Sequence, residues 1–172
     1  FDTIASRIAV KKLYKEVFGN THDSLGDVDP EQVHDLHRSY FPRTIAKLVA
    51  DGYLDERLER IFNLEALAAA LDPTRDDLIG FTGVRTMINR YLLRTPDKKA
   101  LEVPQYFWMR VAMGLSITED DPTSSALTLY NSMSNLRHLA AGSTLVNAGT
   151  PSAQLSNCFV MRTEDDLEHI AQ

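Results

Sequence analysis

The stretch Gly142–Ile170, GSTLVNAGTPSAQLSNCFVMRTEDDLEHI, decides how the chain is organised, and it holds the only cysteine, Cys158. A helical segment ends in Ala140-Ala141-Gly142, and the hydroxyls of Ser143 and Thr144 follow at once. Asn147-Ala148-Gly149-Thr150-Pro151 reads as a turn, because glycine accepts a positive φ and proline presets its own. Gln154 to Arg162 alternates as a strand, with Ser156, Cys158 and Val160 on one side and Leu155, Asn157, Phe159 and Met161 on the other. At Thr163 an acidic helix begins. A single strand has no stability of its own. The pattern therefore predicts a sheet completed by residues outside this chain. A small-residue loop brings backbone N–H groups and hydroxyls close to an anion, and a thiol beside it points to chemistry on a phosphorylated molecule.

Upstream, residues 1 to 140 read as a compact helical domain. Asp2 to Phe18 forms an amphipathic helix with Ile4, Ile8, Leu13 and Val17 at helical spacing and Gly19 as its stop. Asp29-Pro30 opens a second helix carrying Val33, Leu36, Tyr40 and Phe41, and Pro42 begins another that runs from Arg43 to Ala50. Asp55–Phe62 and Leu64–Leu71 are further short helices, the second with Asn63 as N-cap. LIGFTG, with Gly80 and Gly83, reads as an irregular turn before a helix from Val84 to Tyr91. YLLRTPDKKALEVP predicts a small hairpin within 91–103. Pro104 then starts a helix, QYFWMRVAMGL, whose hydrophobicity nearly all round predicts burial. Asp121-Pro122 caps the next helix, which turns Ala126, Leu129, Tyr130, Met133 and Leu136 inward. The resulting fold class is mainly α, with residues 141–172 opening a second, incomplete domain.

Composition narrows the function. With 44% hydrophobic and 24% charged residues over 172 positions the chain builds a real core. A net charge of −6 speaks against a DNA, RNA or membrane-surface binder, which carries a basic field. No apolar run approaches the ~20 residues that span a bilayer. One cysteine excludes an internal disulfide framework and fits a reducing, cytoplasmic setting. The chain begins at Phe1 rather than Met, so both ends read as cuts through a longer polypeptide.

The segment NAGTPSAQLSNCFV followed by EDDLEHI resembles the large catalytic subunit of ribonucleotide reductase, class I or related class II. GFTGVRTMINRYLL and LEVPQYFWMRVAMGL are similar to that subunit's helical N-terminal domain. The resemblance implies that Gln154–Arg162 is the first strand of a ten-stranded α/β barrel. It implies that Cys158 is one half of a redox-active cysteine pair that delivers two electrons to the ribose as the 2′-hydroxyl is lost. The other cysteines of the family's site lie later in its sequence. Gly142, Ser143 and Asn157, with Cys158, fall at the family's substrate-contacting positions. Two of these depart from the family pattern: the usual hydroxyl residue is Gly142 here, and the residue before the cysteine, often Ser, is Asn157. Asp165, Asp166 and Leu167 fall in the segment that binds a specificity effector, a deoxynucleoside triphosphate or ATP, beside a homodimer interface. The resemblance further implies a radical source outside this segment, either a metal-containing small subunit or adenosylcobalamin, and thioredoxin or glutaredoxin as reductant. No cofactor is expected on this segment itself.

Other readings stand beside these. A lone cysteine in a strand also suits a buried small hydrophobe. Asp165 and Asp166 suit an N-terminal helix turn, and Thr163 with Asp166 resembles a capping box. His34 and His37 lack a third ligand at metal-binding spacing and read as a solvated helix face. Tyr106, Phe107 and Trp108 read as core. The runner-up to a reductase segment is a helical interaction or regulatory module without catalysis.

Overall fold

The computed structural model describes residues 2–19 and 29–158. Among them the chain is helical: α1 Asp2–Phe18, α2 Pro30–Ala50, α3 Arg57–Arg60, α4 Leu64–Ala69, a 3₁₀ turn over Pro73–Leu78, α5 Phe81–Arg90, α6 Pro104–Ser116, α7 Pro122–Ser134 and α8 Gly142–Asn147. Helix α6 is the axis, as its composition predicts. Tyr106, Phe107, Trp108, Met109, Val111, Ala112 and Met113 are all buried, and only Gly114 and Leu115 near its C-terminal end are partly exposed. Its main neighbour is α7; α8 and the 3₁₀ turn also pack against it, while α1 lies on α5 and α2 on α3 and α4. The N-caps act as the sequence foretells. Asn63 Oδ1 accepts from the Ala66 N–H at 3.1 Å and Asp121 Oδ1 from the Ser124 N–H at 3.1 Å, each satisfying one of the orphan donors of a first turn. Gly19 ends α1 at φ +65°. The hairpin is present in miniature, as one antiparallel bridge between Arg94 and Ala100.

Several elements differ from the sequence reading. Pro42 does not start a new helix; it sits inside the 21-residue α2. An internal proline removes one N–H and costs about 3 kcal/mol. Here the continuous helix places Phe41, Ile45 and Leu48 together in the core, and their burial offsets that cost at about 1.5–3 kcal/mol each. LIGFTG is ordered as the end of the 3₁₀ turn and the start of α5, so Gly83 lies inside a helix.

Helix α1 is rotated from its expected face. Ile4 and Ile8 are 62% and 63% exposed, whereas Ser6, Val10, Leu13, Tyr14 and Phe18 face inward. Polar bonds select that rotation: Ser6 Oγ donates to the Ile79 carbonyl at 2.6 Å and the Tyr14 hydroxyl to Asp76 at 2.5 Å. His37 is also corrected. It is buried rather than solvated, with Nδ1 2.8 Å from the Val33 carbonyl and edge-on contacts to the rings of Tyr14, Phe18 and Tyr106. Leu136, expected inward, is 47% exposed. Finally, Gln154–Cys158, the described part of the expected barrel strand, pairs with no strand. The reason is the one the sequence supplied: an isolated strand has no ladder to join. Residues 159–162 of that element lie outside the described residues.

Candidate functional site

The region around Cys158 is built from a buried arginine upward. Arg110 is 1% exposed, and its guanidinium meets the Glu102 carboxylate through Nε at 3.0 Å and Nη2 at 2.9 Å. A buried charge is tolerated when it is paired and its remaining donors are used. Those donors go to backbone carbonyls of the site segment: Nη1 to Ala148 at 2.6 Å and Nη2 to Leu145 at 3.1 Å. Glu102 also accepts the Leu93 N–H at 2.9 Å. One ion pair thus joins the hairpin, α6 and the end of α8.

The chain then turns at Gly149, φ +80°, against Gly114 of α6. A β-carbon on Gly114 would lie 2.1 Å from the Gly149 nitrogen and 2.6 Å from the Ala148 carbonyl carbon, so only glycine admits this backbone crossing. The Gly149 carbonyl accepts from the Asp55 N–H at 2.9 Å, which ties the turn to the loop before α3. Asn147 and Gly149 therefore shape the turn, as their sequence positions foretell.

Ser143 and Thr144, expected in a loop, lie in the first turn of α8. Both hydroxyls donate to the Leu155 carbonyl, at 3.0 and 3.2 Å, and the Asn147 side-chain amide donates to the Gln154 carbonyl at 2.8 Å. Together they lay the outgoing chain back across the short helix. Beyond Leu155, Ser156, Asn157 and Cys158 are exposed. Gly142 is half-buried, and a β-carbon there would make only ordinary contact with the Tyr91 ring at 3.9 Å. The structure thus gathers Gly142 and Ser143 on α8 and holds the segment that leads to Asn157 and Cys158 against that helix. Asp165, Asp166 and Leu167 lie outside the described residues. Among the described residues, no group of three or more His, Cys, Asp or Glu side chains is placed to hold a metal ion. No helix among the described residues is long and apolar enough to cross a membrane.

Sequence reasoning missed Arg110, Glu102 and Gly114, which set the position of this segment without touching its exposed end. The available signal was an arginine in the middle of an otherwise apolar helix: a charge there must be paired.

A second buried carboxyl, Asp76, lies elsewhere against α6. It accepts from Tyr14 and from the Gln105 amide, each at 2.5 Å, and the Tyr130 hydroxyl donates to Gln105 Oε1 at 2.6 Å. Its donors are neutral. Burial pushes the Asp76 pKa up to about 7, against the partial relief of those two hydrogen bonds.

Residues 77–153 match the family described as "Ribonucleotide reductase, all-alpha domain", and the helical architecture of the described residues agrees with that description. Among curated proteins, the chain is 40% identical over 168 residues to the ribonucleoside-diphosphate reductase subunit alpha of Chlamydia muridarum, covering 97% of this chain and 15% of that protein. It is 31% identical to the corresponding subunit of Helicobacter pylori, covering 97% of this chain and 19% of that subunit. It is 34% identical to the ribonucleoside-diphosphate reductase large chain of Schizosaccharomyces pombe, covering 95% and 18%. The chain belongs to the ribonucleotide reductase large-subunit family, within the region of its N-terminal all-alpha domain. It spans about 15–19% of the length of these relatives.

Proposed function

We propose that this chain is the N-terminal part of a ribonucleotide reductase catalytic subunit, and that Cys158 is one half of the dithiol that reduces the ribose. The observation that carries the reading is the likeness over 97% of the chain to ribonucleoside-diphosphate reductase alpha subunits. The free thiol of Cys158 fits it, standing just past a segment that Arg110, Gly114, Ser143 and Thr144 hold in place. In the reaction, the ribose 2′-hydroxyl leaves as water and a hydrogen takes its place on carbon. Two thiols supply two electrons and two protons as their sulfurs join in a disulfide. Cys158 supplies one sulfur. The second sulfur and the thiyl radical come from elsewhere in the subunit.

Gly142 and Ser143, with Asn157, form the wall of the substrate site. Since the Ser143 hydroxyl already donates to Leu155, phosphate contacts at Gly142 and Ser143 fall to backbone N–H groups, and Asn157 contributes through its exposed end. Asp165, Asp166 and Leu167 bind the deoxynucleotide or ATP effector near a homodimer interface. The radical source is a metal-containing small subunit or adenosylcobalamin, and thioredoxin or glutaredoxin re-reduces the disulfide. The relatives' names favour a ribonucleoside diphosphate as substrate.

Cys158→Ser in the complete subunit tests the reading. It is expected to abolish multiple turnover with a dithiol reductant while effector affinity is unchanged. Unchanged turnover refutes the redox role and returns the chain to the interaction-module reading.

A further inference from the structure

Three side chains of α8 hold the chain that leads to Cys158, and all three hold it by main-chain carbonyls. Asn147 Nδ2 donates to Gln154 at 2.8 Å, while Ser143 Oγ and Thr144 Oγ1 donate to Leu155 at 3.0 and 3.2 Å. A carbonyl oxygen has two lone pairs, so the Leu155 oxygen is saturated and has none left for a neighbouring strand. In a sheet ladder that runs through Cys158, Ser156 is therefore the first residue with an uncommitted carbonyl. Helix α8 is itself a fixed reference. Arg110 holds the carbonyls of Leu145 and Ala148, the turn at Gly149 is pressed against Gly114, and the half-buried Leu155 side chain packs on the core.

The point at which a strand begins decides which way its side chains point. Register is ordinarily set by a hydrophobic face or by a tight hairpin turn. The run Leu155-Ser156-Asn157-Cys158 has neither. Leu155 and Asn157 share one side, Ser156 and Cys158 the other, and the element before them is a helix. A slip of one residue turns every side chain to the opposite face, which would put Asn157 or Phe159 where Cys158 belongs. We propose that Ser143, Thr144 and Asn147 are positioning residues that set the register of the strand bearing Cys158, so that the thiol and not a neighbour faces the ribose. The proposal rests on the reading of Cys158 as reductant and of Gln154–Arg162 as a barrel strand. None of the three needs to touch the sulfur, because they act through the main chain. Thr144 is the principal one: it is buried, whereas Ser143 and Asn147 are half-buried, so water competes least for its bond.

Alkylation of Cys158 by iodoacetamide in the reduced, complete subunit tests where the thiol points. It is read by peptide mass spectrometry with and without saturating cytidine diphosphate. In the wild type the nucleotide is expected to slow alkylation at least about ten-fold, and in Ser143→Ala/Thr144→Val by less than about two-fold, as the thiol leaves the site face. Turnover of that double variant is expected to fall at least about ten-fold, since a small misplacement of a reacting group costs that much. Its effector affinity, read by equilibrium binding, is expected to be unchanged, which shows that the subunit is folded. Thr144→Ser keeps the hydroxyl and is expected to match the wild type, with Thr144→Val between the extremes. That pair decides the matter if the double variant does not fold. Protection that survives in the folded double variant, or a Thr144→Ser that behaves as Thr144→Val does, overturns the register proposal alone. No protection in the wild-type subunit overturns the placement of Cys158 beside the substrate, and the register proposal with it.

Discussion

Two buried acids are fastened to the central helix by different means. Glu102 faces a full positive charge, the Arg110 guanidinium, and that cation also grips the carbonyls of Leu145 and Ala148. Asp76 has only neutral donors, Tyr14 and Gln105, and burial raises its proton affinity further than those two bonds lower it. Both stitch a loop or turn to α6. The charged stitch supports the segment that leads to Cys158, and the neutral one supports the packing of α1 and the 3₁₀ turn. A paired charge is rigid and unforgiving of deletion, whereas a carboxyl among neutral donors can change protonation state and stay in place.

The largest effect should come from the charged stitch. Arg110→Ala leaves Glu102 buried without its counter-charge and frees the carbonyls at the end of α8. The expected loss is about 3–5 kcal/mol, read by chemical denaturation, and a loss under about 1 kcal/mol would show that the pair adds little to this side of the fold. Next comes Gly114→Ala, which drives a methyl into the Gly149 backbone. It should cost about 3 kcal/mol and displace the site segment while leaving the Asp76 side untouched. Smallest is the pH effect at the neutral stitch. Asp76 has its folded pKa raised from 3.8 to about 7, so folding takes up a proton between those values. Its stabilising contribution is complete below about pH 4 and is lost as pH rises through 7. Between pH 5 and 8 the wild type should therefore lose roughly 2–3 kcal/mol relative to Asp76→Asn, measured as the difference of their denaturation midpoints. Parallel pH profiles would sink the assignment.

Much of this fold was legible because local signals and packing agree. The Asn63 and Asp121 caps, the largely apolar α6 and the choice of glycine at the 149 turn could each be read from neighbours within a few residues. The Tyr106–Trp108 cluster could be read as core from its surroundings alone. What stayed hidden was decided at long range. The rotation of α1 turns on Ser6 meeting Ile79 and Tyr14 meeting Asp76, contacts that no periodicity encodes. Pro42 reads locally as a break, yet the shared burial of Phe41 and Ile45 outweighs it. His37 looks like a surface residue until the rings of Tyr14, Phe18 and Tyr106 close around it. At the candidate site, the cysteine and the small-residue turn were visible from their pattern. Their support was not, because Arg110 and Gly114 act across more than thirty residues of chain.

The twin hydroxyl grip on the Leu155 carbonyl sets the length of a leash. Only two residues, Ser156 and Asn157, separate that last hold from Cys158, so three steps of extended chain let the sulfur-bearing residue range no more than about 10 Å from it. If Cys158 serves as the proposed reductant, its mate has to meet it within this radius, so the helical domain itself sets where the two sulfurs join.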